Sequence, residues 1–377
     1  MKTVLVTGSN GFIGKNLCAQ LKNEKDLVIL GFDSDNTKKE LEKYIKKADF
    51  IFHLAGVNRP TDEKDFDIGN RGLTEDILGL LDKHNKKTPI LITSSIQAEL
   101  DNSYGKSKKA AENAIFKFYK GIKNKAFVYR LPNVFGKWSR PNYNSAVATF
   151  CYNISHDLPV KIDNPSAEIN LVYIDEIISE FIKALNKKIK VNKDGYCYIP
   201  RSFKTTVGEL KDNIESYKLN RDNLIVPNFD DDFNRFLYAT YTSFLADDNF
   251  GYQLKTNFDE RGWLAEFVKS KQFGQIFISK TKPGITRGNH WHHTKIEKFL
   301  VVEGAAEVCF RNIQSKNVLK YRVSGDQLSV VDIPAGYTHS IKNIGDKDLI
   351  TIFWADELFN KENPDTYYEN VDLEEVK

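Results

Sequence analysis

The chain has 377 residues, 41% hydrophobic and 28% charged, an ordinary globular composition that excludes a disordered or collagen-like polymer and leaves room for two domains or three. Lys and Arg number 54 against 51 Asp and Glu, a net charge of +3. The two signs are interspersed, so there is no basic stripe to track a phosphate backbone, which argues against nucleic acid as a partner.

Taken in chain order, residues 3–6 read as a strand, 13–22 as a helix, 27–32 as a strand and 38–47 as a helix. Residues 50–54 then read as a strand, 73–84 as a helix and 90–93 as a strand. Strands alternating with helices of this length predict a doubly wound parallel sheet covered on both faces, the Rossmann arrangement of an α/β domain. Residues 171–243 are expected to be a mainly helical cap on it. From about residue 254 the texture changes to short β-prone runs, 275–279, 298–302, 306–310, 328–333 and 349–354, separated by turns rich in Gly, Asp, Asn and Pro. That predicts an all-β sandwich or barrel. The small acidic stretch Ala246-Asp247-Asp248-Asn249 marks a linker, giving domains of residues 1–244 and 245–377; Asp372-Leu373-Glu374-Glu375 reads as a solvated end. No apolar run approaches the roughly 20 residues of a membrane span. The four cysteines, Cys18, Cys151, Cys197 and Cys309, form no Cys-x-x-Cys pair. The expectation is a cytoplasmic chain with no signal peptide, no anchor and no membrane partner.

Gly8-Ser9-Asn10-Gly11-Phe12-Ile13-Gly14 follows the first strand and opens the first helix, so its amides can approach a pyrophosphate at the positive end of the helix dipole. Asp33 ends the second strand 19 residues after Gly14, where an acid bonds the ribose hydroxyls of NAD and repels a 2′-phosphate; it serves equally well as a strand-end turn residue. Tyr104-Gly105-Lys106-Ser107-Lys108 begins a helix whose i, i+4 spacing puts Tyr104 and Lys108 on one face. A neighbouring ammonium lowers a phenol's pKa, so Tyr104 is expected to exchange a proton with a substrate oxygen near neutral pH. Ser94-Ser95 closes the preceding strand and offers a hydroxyl to the same oxygen.

These residues resemble the extended short-chain dehydrogenase/reductase family over about residues 1–243. The resemblance also takes in His53-Leu54-Ala55-Gly56, Arg130-Leu131-Pro132-Asn133-Val134-Phe135-Gly136 and Tyr173-Ile174-Asp175. It implies that Tyr104 is the acid/base, that Lys108 also holds the nicotinamide ribose and that Ser95 orients the carbonyl. It further implies cofactor contacts from Gly8 to Gly14 and from Leu54, Ala55 and Gly56, and a substrate contact from Asn133. Tyr104 follows Ser95 by only nine positions, a deletion relative to the family that should reshape the substrate pocket.

Gly284-x5-His290-x-His292-x4-Glu297-x6-Gly304 matches the first cupin motif, and Pro334-x-Gly336-x2-His339-x3-Asn343 matches most of the second. His290 and His292 share one face of a strand, and Glu297 and His339 can converge on them inside a small jelly-roll barrel. Three imidazoles and a carboxylate suit Zn, Fe, Mn or Ni by ligand type, while histidine bases without metal remain the other reading. His293 points the other way.

The segments 259–266, 282–290 and 333–339 are similar to the nucleotide-sugar epimerases of the deoxythymidine-diphosphate-rhamnose pathway. This implies that His290 removes a proton next to a 4-keto group and that Arg287 grips the nucleotide sugar. A cupin fused behind such a reductase, with His53-Leu54-Ala55-Gly56-Val57-Asn58-Arg59-Pro60 and Gly288-Asn289-His290-Trp291-His292-His293-Thr294, resembles the capsular polysaccharide enzymes of the CapF type along the whole chain. That resemblance implies a UDP-2-acetamido-2,6-dideoxy-hexos-4-ulose substrate, NADPH in the first domain, zinc in the cupin and a homodimer. Asp33-Ser34 departs from it, standing where a basic pair would hold the 2′-phosphate, so NADH stays open. The expected chemistry is epimerisation at carbon 3 followed by reduction at carbon 4. A cupin that only docks or dimerises, or a non-catalytic nucleotide sensor, are the alternatives.

Overall fold

Val4, Leu5 and Val6 in the first strand, Phe50, Ile51 and Phe52 in the third and Ile90, Leu91 and Ile92 in the fourth are all buried. Successive side chains on both faces leave water, a pattern that only a sheet covered on both sides produces. In the computed structural model, which describes residues 1–60, 62–122, 125–189 and 191–373, the chain begins β1 (Lys2–Thr7), α1 (Phe12–Leu21), β2 (Leu27–Phe32), α2 (Lys38–Lys47) and β3 (Phe50–His53). It continues through α3 (Lys64–Phe66), α4 (Leu73–Lys83), β4 (Ile90–Ser95), α5 (Ser103–Phe118), β5 (Ala126–Leu131), β6 (Asn133–Phe135) and α6 (Ala146–Ser155). Then come β7 (Glu168–Tyr173), α7 (Ile174–Leu185), β8 (Tyr196–Cys197), β9 (Phe203–Thr206), α8 (Val207–Asn223) and α9 (Asp232–Thr242). Glu374 and Glu375 of the acidic end lie outside the described residues.

Strands β2, β1, β3, β4, β5 and β8 lie side by side in that order, and every pair is parallel. This is the doubly wound sheet that the alternation predicts. Local chemistry sets the helix ends: Thr37 and Glu40 close a capping box at the start of α2, which turns Leu41 and Ile45 into the core. Asn102 caps α5 by accepting from the Gly105 amide at 2.7 Å.

By its contacts the chain divides into two units, Met1–Glu215 with Phe236–Ala246 and Ser216–Arg235 with Asp247–Lys377. The second unit therefore takes in residues 216–235, well ahead of the single linker read from the sequence. The stretch 171–243 is also less purely helical than expected. It supplies part of β7 together with β8 and β9, and β6, β7 and β9 form a three-stranded sheet of their own.

The second unit's strands are β10 (Thr256–Asp259), β11 (Gly262–Ser270), β12 (Gly274–Thr281), β13 (Thr286–Trp291), β14 (Glu297–Glu303) and β15 (Ala305–Asn312). They are followed by β16 (Val318–Ser324), β17 (Val330–Ile333), β18 (Tyr337–Asn343), β19 (Leu349–Ala355) and β20 (Tyr367–Tyr368). They make two antiparallel sheets, β10-β11-β12-β19-β14-β17 and β16-β15-β18-β13-β20, the all-β cupin architecture. Strict alternation along β19 sends Leu349, Thr351, Phe353 and Ala355 inward. Phe299, Val301 and Phe353 of one sheet share a core with Val308, Phe310 and Ile341 of the other. Phe353 stacks on Phe277 at 4.8 Å and meets the Phe299 ring edge-on at 4.6 Å. Phe353→Ala is expected to destabilise this unit by about 3–5 kcal/mol, read from its denaturant unfolding transition.

Candidate active sites

In the first unit the nucleotide turn is shaped by contacts that admit no side chain. Gly8 is left-handed, and a Cβ on it would lie 2.7 Å from the Ala55 amide. A Cβ on Gly14 would lie 2.0 Å from the Gly8 carbonyl oxygen, so α1 can pack onto the turn only with glycine there. Gly11 is the N-cap of α1, with neither a side-chain cap nor an acid in the first turn, which leaves the amides near Phe12 and Ile13 free for an anion. Leu54 is tied to β1 by its amide, 3.1 Å from the Thr7 carbonyl oxygen, so Leu54, Ala55 and Gly56 border the turn. Asp33 accepts from the Asn10 amide at 2.7 Å and from the Ser34 amide at 3.0 Å. The turn reading of Asp33 is thus seen directly, and its carboxylate lies beside the glycine turn.

Ser95, Tyr104 and Lys108 come together as the spacing predicts. Ser95 closes β4, its hydroxyl accepts from the Gln97 amide at 3.1 Å, and it lies near enough to the Tyr104 phenol to pull its pKa down. Tyr104 and Lys108 lie four apart on α5, with the Lys108 Nζ 5.9 Å from the Tyr104 ring centroid. The ammonium donates to the Thr93 carbonyl at 3.3 Å, and a Cβ on Gly56 would lie 2.8 Å from it. The direction of the Tyr104 shift corrects the sequence reading: burial pushes the phenol up, and Ser95 offsets only part of this. Burial likewise pushes Lys108 down to about 8, against the pull of Glu112. Ser94 is not an alternative to Ser95, because its hydroxyl donates to Glu112 at 2.6 Å.

Residues that pattern reading missed hold this arrangement. Glu112 is sealed from solvent and pairs with Arg130 through two bonds of 2.8 and 2.7 Å. Tyr196 donates to the same carboxylate at 2.9 Å. Asn70 bridges the loop after β3 to α5: it accepts from the Val57 amide at 3.1 Å and donates to the Ser107 hydroxyl at 3.0 Å. His53 joins Thr7 and Thr74 at 2.8 and 2.9 Å, and burial pushes it down to about 3, so it stays neutral. A cleft of about 510 Å³ opens beside Tyr104, lined among others by Asn58, Arg59, Gln97, Asn102 and Asn144. Gln97 and Asn102 come from the shortened Ser95–Tyr104 interval, which thus forms one wall of the cleft. Asn133 is exposed at the start of β6, its amide 3.4 Å from the Asn170 carbonyl oxygen.

In the second unit His290, His292, Glu297 and His339 bring one potential ligand atom each to within 4.8 Å of one another. Antiparallel pairing sets His290 of β13 opposite His339 of β18. Glu297, at the start of β14, places Oε2 3.4 Å from Nε2 of both His292 and His339. Those two Nε2 atoms are buried and make no hydrogen bond. The Nδ1 of His292 faces the Asp365 carbonyl at 2.6 Å and that of His339 the Tyr337 carbonyl at 3.3 Å, so the ring protons sit on Nδ1 and bare Nε2 lone pairs confront a carboxylate. A cation among them resolves the conflict, so the residues fit a divalent metal. His293 contributes its ring to Trp291 and Tyr367 instead. Arg287 is turned into the barrel wall, with Nε donating to the Thr281 hydroxyl at 2.9 Å and a guanidinium nitrogen 3.7 Å from Asp259.

A glycine turn, a Ser-Tyr-Lys set and a neighbouring cleft define a nucleotide-dependent reductase or epimerase unit, here joined to a cupin with a metal-type cluster. The chain belongs to the NAD dependent epimerase/dehydratase family, whose pattern covers residues 4–196, and carries a polysaccharide biosynthesis C-terminal domain over residues 257–367. It is 43% identical over 364 residues, 97% of both chains, to the UDP-2-acetamido-2,6-beta-L-arabino-hexul-4-ose reductase of Pseudomonas aeruginosa. The crystal structure of the capsular polysaccharide assembling protein CapF from Staphylococcus aureus resembles it with a TM-score of 0.91 at 43% identity, over 98% of this chain and all of that one. The whole chain thus has the CapF architecture. The UDP-glucuronic acid 4-epimerase of Bacillus cereus, with NAD bound, shares only the fold, with a TM-score of 0.51 and 19% identity over 57% of this chain and 83% of its own.

Glu112→Ala removes the buried partner of Arg130 and leaves it only the exposed Glu99 as an ion-pair partner, and is expected to destabilise the first unit by about 3 kcal/mol in urea unfolding.

Proposed function

We propose that the first unit reduces the 4-keto group of a UDP-linked 2-acetamido-2,6-dideoxy-hexos-4-ulose, and that the cupin first inverts carbon 3 of the same sugar, in the supply of UDP-N-acetyl-L-fucosamine for a capsular polysaccharide. The observation that carries the reductase is that Tyr104, which lines the cleft of about 510 Å³, has Ser95 and Lys108 beside it. The Pseudomonas aeruginosa relative supports the substrate class. The bound dinucleotide supplies hydride to carbon 4. Tyr104 gives its proton to the carbonyl oxygen, and the upward shift of its phenol keeps that proton in place at neutral pH. Ser95 holds the same oxygen, and the Lys108 ammonium faces the phenolate that is left. Arg59, on the cleft wall, suits the substrate's diphosphate.

In the cupin the hydrogen at carbon 3 is acidified by the neighbouring ketone. His290 is neutral, because burial and then His339 push it down to about 4, and it takes that proton as the one half-exposed histidine of the three. His292, Glu297 and His339 would hold zinc. Bound zinc supplies charge stabilisation for the oxyanion, and Arg287 grips the nucleotide sugar. The reading carries with it a homodimer in the cytoplasm, supported by the resemblance and by four free cysteines.

For the hydride donor the reading departs from the NADPH that the resemblance implies. Asp33 brings a carboxylate to the turn, and among the described residues it makes no ion pair that would neutralise it, so NADH is favoured and a 2′-phosphate repelled.

Tyr104→Phe should lower NADH oxidation about 10²–10⁴-fold while deuterium from heavy water still enters carbon 3 at the wild-type rate. Loss of both activities, or no deuterium uptake by the wild type, contradicts two separate centres. In fluorescence titrations of the unloaded protein NADH should bind about tenfold or more tighter than NADPH, with Asp33→Asn narrowing the gap. Tighter NADPH binding sinks the Asp33 reading.

A further inference from the structure

We propose that Asp365 is a positioning residue for the metal centre, reaching back from the C-terminal segment to orient His292 and to shape the loop between two ligands. The proposal rests on the metal reading of the His290, His292, Glu297 and His339 cluster and adds to it a residue 73 positions away in sequence from the ligand it serves.

The segment from Pro364 to Val371 is laid along β13. Tyr367 and Tyr368 pair with Trp291 and His290, and the Glu369 amide donates to the Asn289 carbonyl at 2.9 Å. Arg311, almost wholly buried, holds the far end through the Val371 carbonyl at 3.0 Å and the Glu369 carboxylate at 2.6 Å. Lys295 holds the near end through the Pro364 carbonyl at 2.6 Å.

Asp365 sits between these anchors in a left-handed conformation, φ 39°, which short polar residues tolerate better than bulky ones. Its two polar ends then do different things. The main-chain carbonyl accepts from His292 Nδ1 at 2.6 Å, which fixes the ring's tautomer and turns Nε2 toward Glu297. The carboxylate accepts from three consecutive amides, those of His293, Thr294 and Lys295, each at 2.9 Å, and from the Thr294 hydroxyl at 3.1 Å. Those amides belong to the loop joining His292 to Glu297, which has no partner strand to satisfy them. One residue therefore sets both the rotation of one ligand and the path to the next.

The test uses the full chain and zinc itself, in competition with a chromophoric chelator. Asp365→Ala should bind zinc about 10- to 100-fold more weakly than wild type, with Asp365→Asn in between because it keeps one acceptor oxygen. NADH binding by the first unit should be unchanged, and the absorption bands of the cobalt-substituted protein should shift. Wild-type zinc affinity and an unchanged cobalt spectrum in Asp365→Ala overturn the proposal. If Asp365→Ala does not fold, Asp365→Asn decides in the same way. His339→Ala separates the two readings: if the wild type binds neither ion and His339→Ala is no different, it is the metal centre itself that fails.

Discussion

A carboxylate taken out of water must be met by positive charge or by a full set of donors, and each unit is organised around a buried carboxylate. In the first unit it is Glu112. The side chains that meet it come from β4 (Ser94), β5 (Arg130) and β8 (Tyr196), so one residue of α5 gathers the ends of three strands. The next residue along β4 is Ser95, and one turn back along α5 is Lys108. The distance between the hydroxyl and the helix that carries Tyr104 is therefore a consequence of satisfying a buried charge a few ångströms away, and the Arg130 of the family's Arg-Leu-Pro-Asn stretch acts through that charge without entering the cleft.

In the second unit the carboxylate is Glu297, and the answer is different. Its only neighbours within ion-pair distance among the described residues are His292 and His339, and both imidazoles have committed a proton to a main-chain carbonyl on the far side. Where Glu112 finds an arginine, Glu297 finds lone pairs. The first arrangement is complete as it stands and serves to hold the fold. The second is stable only with a cation or extra protons inside it, which is what separates a ligand set from a structural ion pair built of equally buried groups.

The parts legible in the sequence were those whose physics is local. A glycine turn declares itself because backbone approaches as close as that at Gly14 tolerate no other residue. Tyr104 and Lys108 are one helical turn apart, and the four cupin residues sit at spacings set by strand alternation. Contacts closed by the tertiary fold left no such mark. Glu112 reads as one more helix surface acid until β4, β5 and β8 surround it, and Asp365 reads as a turn residue until the chain doubles back onto β13. The capture of residues 216–235 by the second unit depends on pairings such as that of Ile225 with Lys269, which no composition shift announces. The pKa of Tyr104 was misjudged for the same reason: a charge neighbour is visible in a spacing, and desolvation is not.

Desolvation acts in opposite senses on the two proposed centres. Burial always favours the neutral form, so it strengthens the hold of an acid on its proton and weakens the grip of a base. Tyr104 is pushed up and His290 down to about 4, so at neutral pH the first keeps its proton and the second is without one, the states that the proposed reduction and proton abstraction would use. Lys108, pushed down only to about 8 because Glu112 opposes the shift, still carries its charge there. The proposed reduction would leave a phenolate where a phenol stood, and that ammonium, 5.9 Å from the Tyr104 ring centroid, can compensate it. The buried Glu112 thus favours the charged form of the residue on which the proposed reduction relies, in addition to holding the strand that carries Ser95.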